Sequence, residues 1–207
     1  MNQFNVGRRE SKKAETKIEI MKAFIERLEM DELNAIRVQD ICDVVGISKV
    51  TFFNYFTSKE QVIEYFIHFW QYDLDYQICQ TQLRGRALIY ELFRRVGAHP
   101  ASKHILNAIM LFFIKTSDYK PMTIDDYELY LWNSDAYNQG FRLTTIQDLF
   151  EKGLAEWQVS SAEIKTMMNN LLSGFYGMAF LQTVSYADNL NENYEKFLDS
   201  ILPLDLK

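Results

Sequence analysis

The chain is poor in the two residues that most often make tight turns. Its 207 residues include 8 Gly and 3 Pro, whereas average usage would give roughly 14 and roughly 10. A protein built from many short strands needs such residues between them, so their scarcity favours helices. Because 48% of the residues are hydrophobic, the chain can bury a core, which excludes a disordered or collagen-like protein.

Apolar side chains recur at helical spacing over most of the chain, and no strand-like alternation of useful length is present. This spacing predicts an all-α fold of about nine helices. The predicted helices cover about residues 11–30, 38–45, 48–56, 58–79, 86–96, 102–115, 143–157, 161–187 and 191–202. Residues 121–140 are less regular, and no helix is assigned to them.

Two of the predicted helices are short and follow each other closely. The first ends at Gly46, which suits the left-handed conformation that terminates a helix. Ser48 can cap the second, whose three phenylalanines are predicted to pack along one inner side. These are Phe52, Phe53 and Phe56. With the longer helix before them, the two helices predict a three-helix unit containing a helix-turn-helix.

An exposed second helix of this size fits the major groove of B-DNA, which is about 12 Å wide. The segment from Ile47 to Glu60 resembles the signature of the TetR family of transcriptional regulators. With its flanking helices the resemblance covers about residues 14–66. The DNA-contacting residues that it implies are Lys49, Val50, Thr51, Asn54, Tyr55 and Lys59.

The resemblance also implies a role for each of these positions. Thr51 and Tyr55 are expected on phosphates, as is Lys59 at the start of the next helix, where free amide groups add to the site. Lys49 lies nearest the base edges together with Val50 and Asn54. Val50 is bulkier than the residue often found at its position and suits a thymine methyl, whereas Asn54 suits adenine.

Arg37 departs from the family pattern, which usually has a capping Thr at this position. The arginine is a missing cap and places a positive charge at the positive end of the helix dipole. We hypothesise that Arg37 contacts a backbone phosphate, although a solvated surface charge explains it equally well. The basic segment Arg8–Lys17 leaves the same two alternatives, solvation and contact with DNA.

The charge of the chain is segregated along its length. The formal net charge of -6 argues against nucleic acid at first sight, because phosphate binding requires Lys and Arg. Residues 1–60, however, carry 10 basic and 10 acidic side chains, whereas residues 61–207 carry 12 and 18. A basic surface in the first 60 residues is therefore compatible with the composition.

Other chemistry has little support in the sequence. Cys42 and Cys79 are too few for a disulfide framework, and Cys42 is expected in the core. His99 and His104 are off the i, i+4 spacing of a helical metal site, and no phosphate loop or nucleophile elbow is present. We expect no enzyme activity, no cofactor and no metal. Without a secretory signal or an apolar stretch of about 20 residues, the expected location is the cytoplasm.

Two glycines suggest a place where helices approach closely. Gly174 and Gly177 lie one turn apart in an apolar helix, where each costs about 1 kcal/mol relative to Ala. The missing side chains allow close packing either inside the chain or across a dimer. The TetR resemblance implies a dimer interface formed by the last two helices, so both readings stay open.

The part of the chain after residue 61 is rich in aromatic residues, most of which are expected in the core. Helical domains also build apolar ligand pockets with a few polar groups. The candidate ligand-binding residues are Trp70, Asp73, Phe113, Tyr137 and Phe175. The acidity of this part favours a neutral or cationic ligand over an anion.

The sequence thus predicts a DNA-binding domain over residues 1–56 and an effector-binding and dimerisation domain over residues 57–207. The expected function is a homodimeric repressor that leaves a palindromic operator when it binds a small apolar or aromatic ligand. One alternative is a helical enzyme or ligand carrier that does not bind DNA. Another is a DNA-binding protein that needs no ligand, or an activator.

Overall fold

The computed structural model describes residues 6–99, 101–115, 122–157, 160–185 and 189–202. Every regular element in these ranges is a helix, which confirms the predicted all-α class. The helices are α1 (Arg8–Met30), α2 (Val38–Val45), α3 (Lys49–Tyr55), α4 (Lys59–Thr81), α5 (Gly85–Ala98), α6 (Ser102–Lys115), α7 (Asp126–Trp132), α8 (Ser134–Asn138), α9 (Ile146–Leu154), α10 (Ser161–Ser185) and α11 (Leu190–Ile201). None of them is long and apolar enough to cross a membrane.

The described ranges thus hold eleven helices rather than the nine expected, because α7 and α8 form where no helix was assigned. Each of the two begins at its own capping side chain. Asp125 accepts the amide N–H of Glu128 at 2.8 Å, and Asn133 accepts that of Ala136 at 3.0 Å. Residues 121–140 lack the regular apolar spacing by which a helix is recognised in a sequence.

The chain divides into two compact units. The first is drawn from Met1–Tyr76 and Leu111–Leu143, and the second from Gln77–Met110 and Thr144–Lys207. Helices α7 and α8 therefore belong to the same unit as α1, α2 and α3. The domain boundary after residue 56 stays a prediction.

A row of aromatic rings runs through the first unit from α3 along α4 to the end of α7. The ring centroids of Phe52 and Phe56 are 5.8 Å apart, and Phe56 lies 5.5 Å from Tyr65. Phe69 continues the row at 4.7 Å from Tyr65 and 5.2 Å from Trp132. Because Phe52, Phe56, Tyr65 and Phe69 are all buried, these contacts fix α3 against α4.

The core of the second unit is also aromatic. Phe93 of α5 lies 5.4 Å from Phe150 of α9, 5.4 Å from Phe175 of α10 and 4.8 Å from Tyr194 of α11, measured between ring centroids. The Tyr194 hydroxyl donates a hydrogen bond to the backbone carbonyl of Phe175 at 2.7 Å. One ring from each helix thus meets at Phe93, in agreement with the expectation that most aromatic residues are core.

Candidate nucleic-acid interface

The turn between α2 and α3 is made by a glycine and a serine. Gly46 ends α2 with φ of 73°, the left-handed conformation predicted for it. The amide N–H of Ile47 donates to the carbonyl of Cys42 at 3.0 Å. Ser48 then begins α3, where its Oγ accepts the amide N–H of Thr51 at 3.1 Å. Each of the two helix ends is thus fixed by a capping hydrogen bond.

The inner side of this helix pair is packed. Ile41, Cys42 and Phe52 are buried, with Cys42 and Phe52 completely shielded from solvent. The expectation that Cys42 is a core residue is therefore confirmed. Burial is also the main reason that the pKa of its thiol is raised, which disfavours the reactive thiolate.

The outer side of α3 consists of Lys49, Val50, Phe53 and Asn54, all of which are exposed. Val50 is 71% exposed and Phe53 is 51% exposed. Thr51 and Tyr55, which are also candidate DNA contacts, are half-buried at the flanks of this face; the hydroxyl of Thr51 lies 2.9 Å from that of Ser48. We call Lys49, Val50, Phe53 and Asn54 the outer face of α3.

The prediction that Phe53 packs inward with its two neighbours is wrong. Phe52 and Phe56 are four residues apart and share one side of α3, whereas Phe53 is rotated by about 100° from Phe52. Applying the helical period residue by residue would have placed Phe53 beside Val50. The run of similar aromatic letters concealed this difference.

Lys59, the predicted phosphate contact, is engaged within the chain. Its Nζ donates to the backbone carbonyls of Leu33 and Ile36, the latter at 3.1 Å. These bonds tie the start of α4 to the segment between α1 and α2. Because the ammonium has three donors, its role at a phosphate stays a prediction alongside this structural one.

Arg37 is exposed and occupies the N-cap position of α2 without a side-chain hydrogen bond to the helix. As the sequence indicated, α2 therefore lacks a side-chain cap at its N-terminus. Asp40 lies in the first turn of α2, as expected for a charge that offsets the arginine. Contact between Arg37 and a phosphate stays a prediction.

The basic segment Arg8–Lys17 is helical and forms the first part of α1. Four of its cations are exposed, namely Arg8, Arg9, Lys12 and Lys13. Lys17 is different, since it is 6% exposed and its Nζ pairs with Glu128 Oε1. The expectation that Lys17 is either solvated or in contact with DNA is therefore wrong.

Lys17 belongs to a buried network that joins α1, α4 and α7. The hydroxyl of Tyr65 donates to Glu128 Oε1 at 2.9 Å, and the amide N–H of Asp125 donates to Glu128 Oε2 at 3.0 Å. Lys17 Nζ also lies 4.4 Å from the centre of the Tyr65 ring. Burial, together with the neighbouring Glu128 carboxylate, raises the pKa of the Tyr65 hydroxyl. No local sequence pattern could reveal a pair separated by 111 residues.

The candidate ligand-binding residues are drawn from both units. In the first unit, Asp73 accepts hydrogen bonds from Trp132 Nε1 and Asn133 Nδ2, each at 2.7 Å, and its burial raises the pKa of the carboxyl. Tyr137 donates to Asp126 at 3.2 Å. Trp70 is half-buried on α4.

The remaining two candidates are Phe175 and Phe113. Phe175 is in the core of the second unit, and the side chain of Phe113 lies outside the described residues. A groove of about 470 Å³ runs between α9 and α10 in the second unit, and Leu154, Ile164 and Met168 contribute to its apolar lining. The residues that line this groove include none of the five candidates.

The two glycines of α10 have different surroundings. A Cβ atom on Gly174 would lie 2.1 Å from Cε1 of Phe197, so the missing side chain makes room for α11 of the same chain. A Cβ atom on Gly177 would meet no other atom within 4 Å. Gly174 therefore serves packing inside the second unit, and the place of Gly177 in a dimer interface stays a prediction.

No group of three or more His, Cys, Asp or Glu side chains within the described residues is arranged to hold a metal ion. His68 lies 3.7 Å from Glu64, a neighbour on α4. Comparison with known proteins finds no family model that matches the chain and no curated protein that matches it.

Proposed function

We propose that this protein is a DNA-binding transcriptional regulator of the helix-turn-helix type, resembling the TetR family. In this proposal the outer face of α3 enters the major groove of DNA. A homodimer presents two such faces to a palindromic operator, with the half-sites about 34–36 Å apart or a multiple of that distance. Bound near a promoter, the dimer represses transcription by blocking polymerase.

The observation that carries the proposal is the outer face of α3. A short helix follows a left-handed glycine turn, is capped by Ser48, and leaves Lys49, Val50, Phe53 and Asn54 exposed. These exposed side chains are a cation, a carboxamide and two apolar groups. A surface helix that presents them has the size to enter the major groove and the chemistry to contact base edges. The buried Phe52 holds this helix in place from behind.

Charge supports the same reading. Exposed cations are found at Lys49, at Arg37 and at four positions in the first turns of α1. Such groups attract a polyanion and release its counterions on binding, which makes affinity depend strongly on salt. The helix-turn-helix itself precedes the part of the chain after residue 60 that carries the net charge of -6.

Dimerisation through the last two helices is supported by the surface of α10. Phe180 and Leu181 are about half exposed at 49% and 51%, and Gly177 leaves open space one turn before them. The glycine allows a second helix to approach closely, and that helix would cover the exposed apolar side chains. A second copy of the chain is the partner that a palindromic operator requires.

The proposal includes release by a small apolar or aromatic ligand. A ligand that prefers a conformation with a different distance between the two α3 helices lowers operator affinity by its difference in binding free energy between the conformations. The groove between α9 and α10 has a volume of about 470 Å³, within the range of small-molecule sites. Leu154, Ile164 and Met168 suit the apolar part of such a ligand, and the polar side chains of the lining, such as Gln147, can orient it.

The first test measures binding of the full-length protein to DNA selected from a random duplex pool. We expect a specific site, with affinity falling about tenfold or more between about 50 and 200 mM salt. Asn54→Ala should cost about 1–3 kcal/mol of binding free energy and relax the preference at one base pair. Fluorescence anisotropy gives both values.

Asn138→Ala is the matched control, since Asn138 is also an exposed asparagine, on α8, and its substitution should leave DNA affinity unchanged. A protein that enriches no duplex and shows no salt-dependent binding would contradict the proposal. That result would favour the helical enzyme or carrier instead.

A further inference from the structure

The outer face of α3 contains an apolar pair beside its polar residues. Val50 and Phe53 are three residues apart and both exposed, so their side chains are neighbours on the helix surface. The Phe53 ring also packs edge-on against Phe52, with ring centroids 5.3 Å apart and planes at 81°. Because Phe52 is completely buried, the exposed ring is held in position by a fixed neighbour.

The chemistry of the major groove limits what such a pair can contact. Base edges there present hydrogen-bond donors and acceptors, and the methyl group on C5 of thymine is their apolar group. Two residues three positions apart on a helix are separated by about 4.5 Å along its axis, close to the 3.4 Å step between base pairs. Val50 and Phe53 can therefore reach methyl groups on the same or on adjacent base pairs.

Charge favours DNA over an apolar protein surface as the occupant of this face. The helix Lys49–Tyr55 contains one cation and no acidic residue, and Lys49 is exposed beside the apolar pair. Arg37, at the start of α2, adds a further exposed cation. These charges complement the phosphates that border the groove.

We infer that Val50 and Phe53 together read thymine methyl groups, and that Phe53 is a specificity-determining residue in addition to those named from the sequence. The inference rests on the proposed function and adds the preferred substrate, a half-site with thymines on the same or neighbouring base pairs. Lys49 and Asn54 supply hydrogen bonds to the flanking base edges, and the apolar pair supplies the methyl contacts.

The test removes the methyl groups and nothing else. The duplex selected by the full-length protein is resynthesised with deoxyuridine in place of thymidine, one position at a time. Uracil keeps all hydrogen-bonding groups of thymine and lacks its methyl group. We expect wild-type affinity to fall about fourfold at each contacted thymine, at two positions in each half-site, and to stay constant elsewhere.

Variants connect each methyl group to a side chain. Val50→Ala and Phe53→Ala should each abolish the difference between thymine and uracil at one of the two positions. Val44→Ala is the matched control, because Val44 is 74% exposed on α2 and should retain the full difference. Thermal unfolding shows whether each variant is folded, and the uracil series on the wild-type protein needs no variant.

The possible failures are distinct. A selected duplex that binds equally well with uracil at every position overturns the methyl readout and leaves the proposed function standing. A loss of affinity with uracil that Val50→Ala and Phe53→Ala do not change also overturns it, since other groups then read the methyls. Failure to enrich any duplex contradicts the proposed function itself.

Discussion

The buried carboxylate of Glu128 in α7 links this helix to α1 and α4. Glu128 is 3% exposed and accepts hydrogen bonds from Lys17 Nζ, the hydroxyl of Tyr65 and the amide N–H of Asp125. Taking two charges out of water is costly, and their attraction offsets that cost when the remaining hydrogen bonds are satisfied. Here Glu128 has partners on both carboxylate oxygens, so its charge is well compensated.

Glu128→Gln should therefore destabilise the protein strongly. The amide preserves the shape of the side chain but leaves the Lys17 ammonium buried without a counter-charge, which costs about 3–5 kcal/mol. Urea unfolding followed by circular dichroism measures the change in the free energy of unfolding. Glu26→Gln, at an exposed position of α1, is the control and should stay within about 0.5 kcal/mol of wild type. A similar small value for Glu128→Gln would show that the network contributes little.

At the scale of elements, capping side chains begin several of the helices, namely α3, α7, α8, α9 and α11. The start of α9 shows this in both directions, because Thr145 Oγ1 accepts the amide N–H of Asp148 at 3.1 Å and Asp148 Oδ2 accepts that of Thr145 at 2.8 Å. The hydrogen bonds from the backbone and hydroxyl of Thr145 hold the pKa of the Asp148 carboxyl below its usual range.

This capping arrangement predicts a dependence on pH. A carboxyl whose pKa is lowered by folding contributes stability above its unfolded pKa of about 3.9, and loses it as the pH falls through the folded pKa. Asp148→Asn should be less stable than wild type at about pH 6, with the difference shrinking toward about pH 3. Thermal unfolding over this range measures it, with Asp135→Asn as a control for removing one exposed negative charge. A difference that does not vary with pH would contradict the role of the ionised carboxylate.

The elements that the sequence predicted well are those set by local chemistry. The α2–α3 turn depends on Gly46 and Ser48, which are adjacent to the helices they end and begin. Phe53 was misplaced although the helical period could have found it. Lys17 and Glu128 could not be paired from the sequence, because their contact depends on how α7 packs against α1. The candidate ligand-binding residues stay a prediction.

At the scale of the whole molecule, three of the eight glycines lie where helices pack closely. In the second unit a Cβ atom would lie 1.9 Å from Asn191 Oδ1 if added to Gly97, and 2.8 Å from Ile89 if added to Gly153. With Gly174 against Phe197, three helix contacts in this unit depend on a missing side chain. Scarcity of glycine in the composition therefore coexists with glycine at closely packed helix contacts.

Gly174 and Gly177 form a matched pair for testing the dimer. Gly174→Ala should lower the thermal stability, because its methyl group forces the Phe197 ring to move at a cost of about 1–3 kcal/mol. Gly177→Ala has open space within the chain and should instead weaken self-association, measured by analytical ultracentrifugation. A dimer whose dissociation constant is the same with and without the Gly177 methyl group would place the interface elsewhere.

The network around Glu128 limits how this protein can be divided or recombined. Helices α1 to α3 are continuous in sequence, as in a segment that could be transferred on its own. The counter-charge for Lys17 in α1, however, comes from Glu128 in α7. A chimera that joined residues 1–81 to another protein would lack Glu128. The buried ammonium group of Lys17 would then have no counter-charge. Recombination that keeps this ion pair must therefore transfer residues 122–143 together with α1, although the two segments are far apart in the sequence.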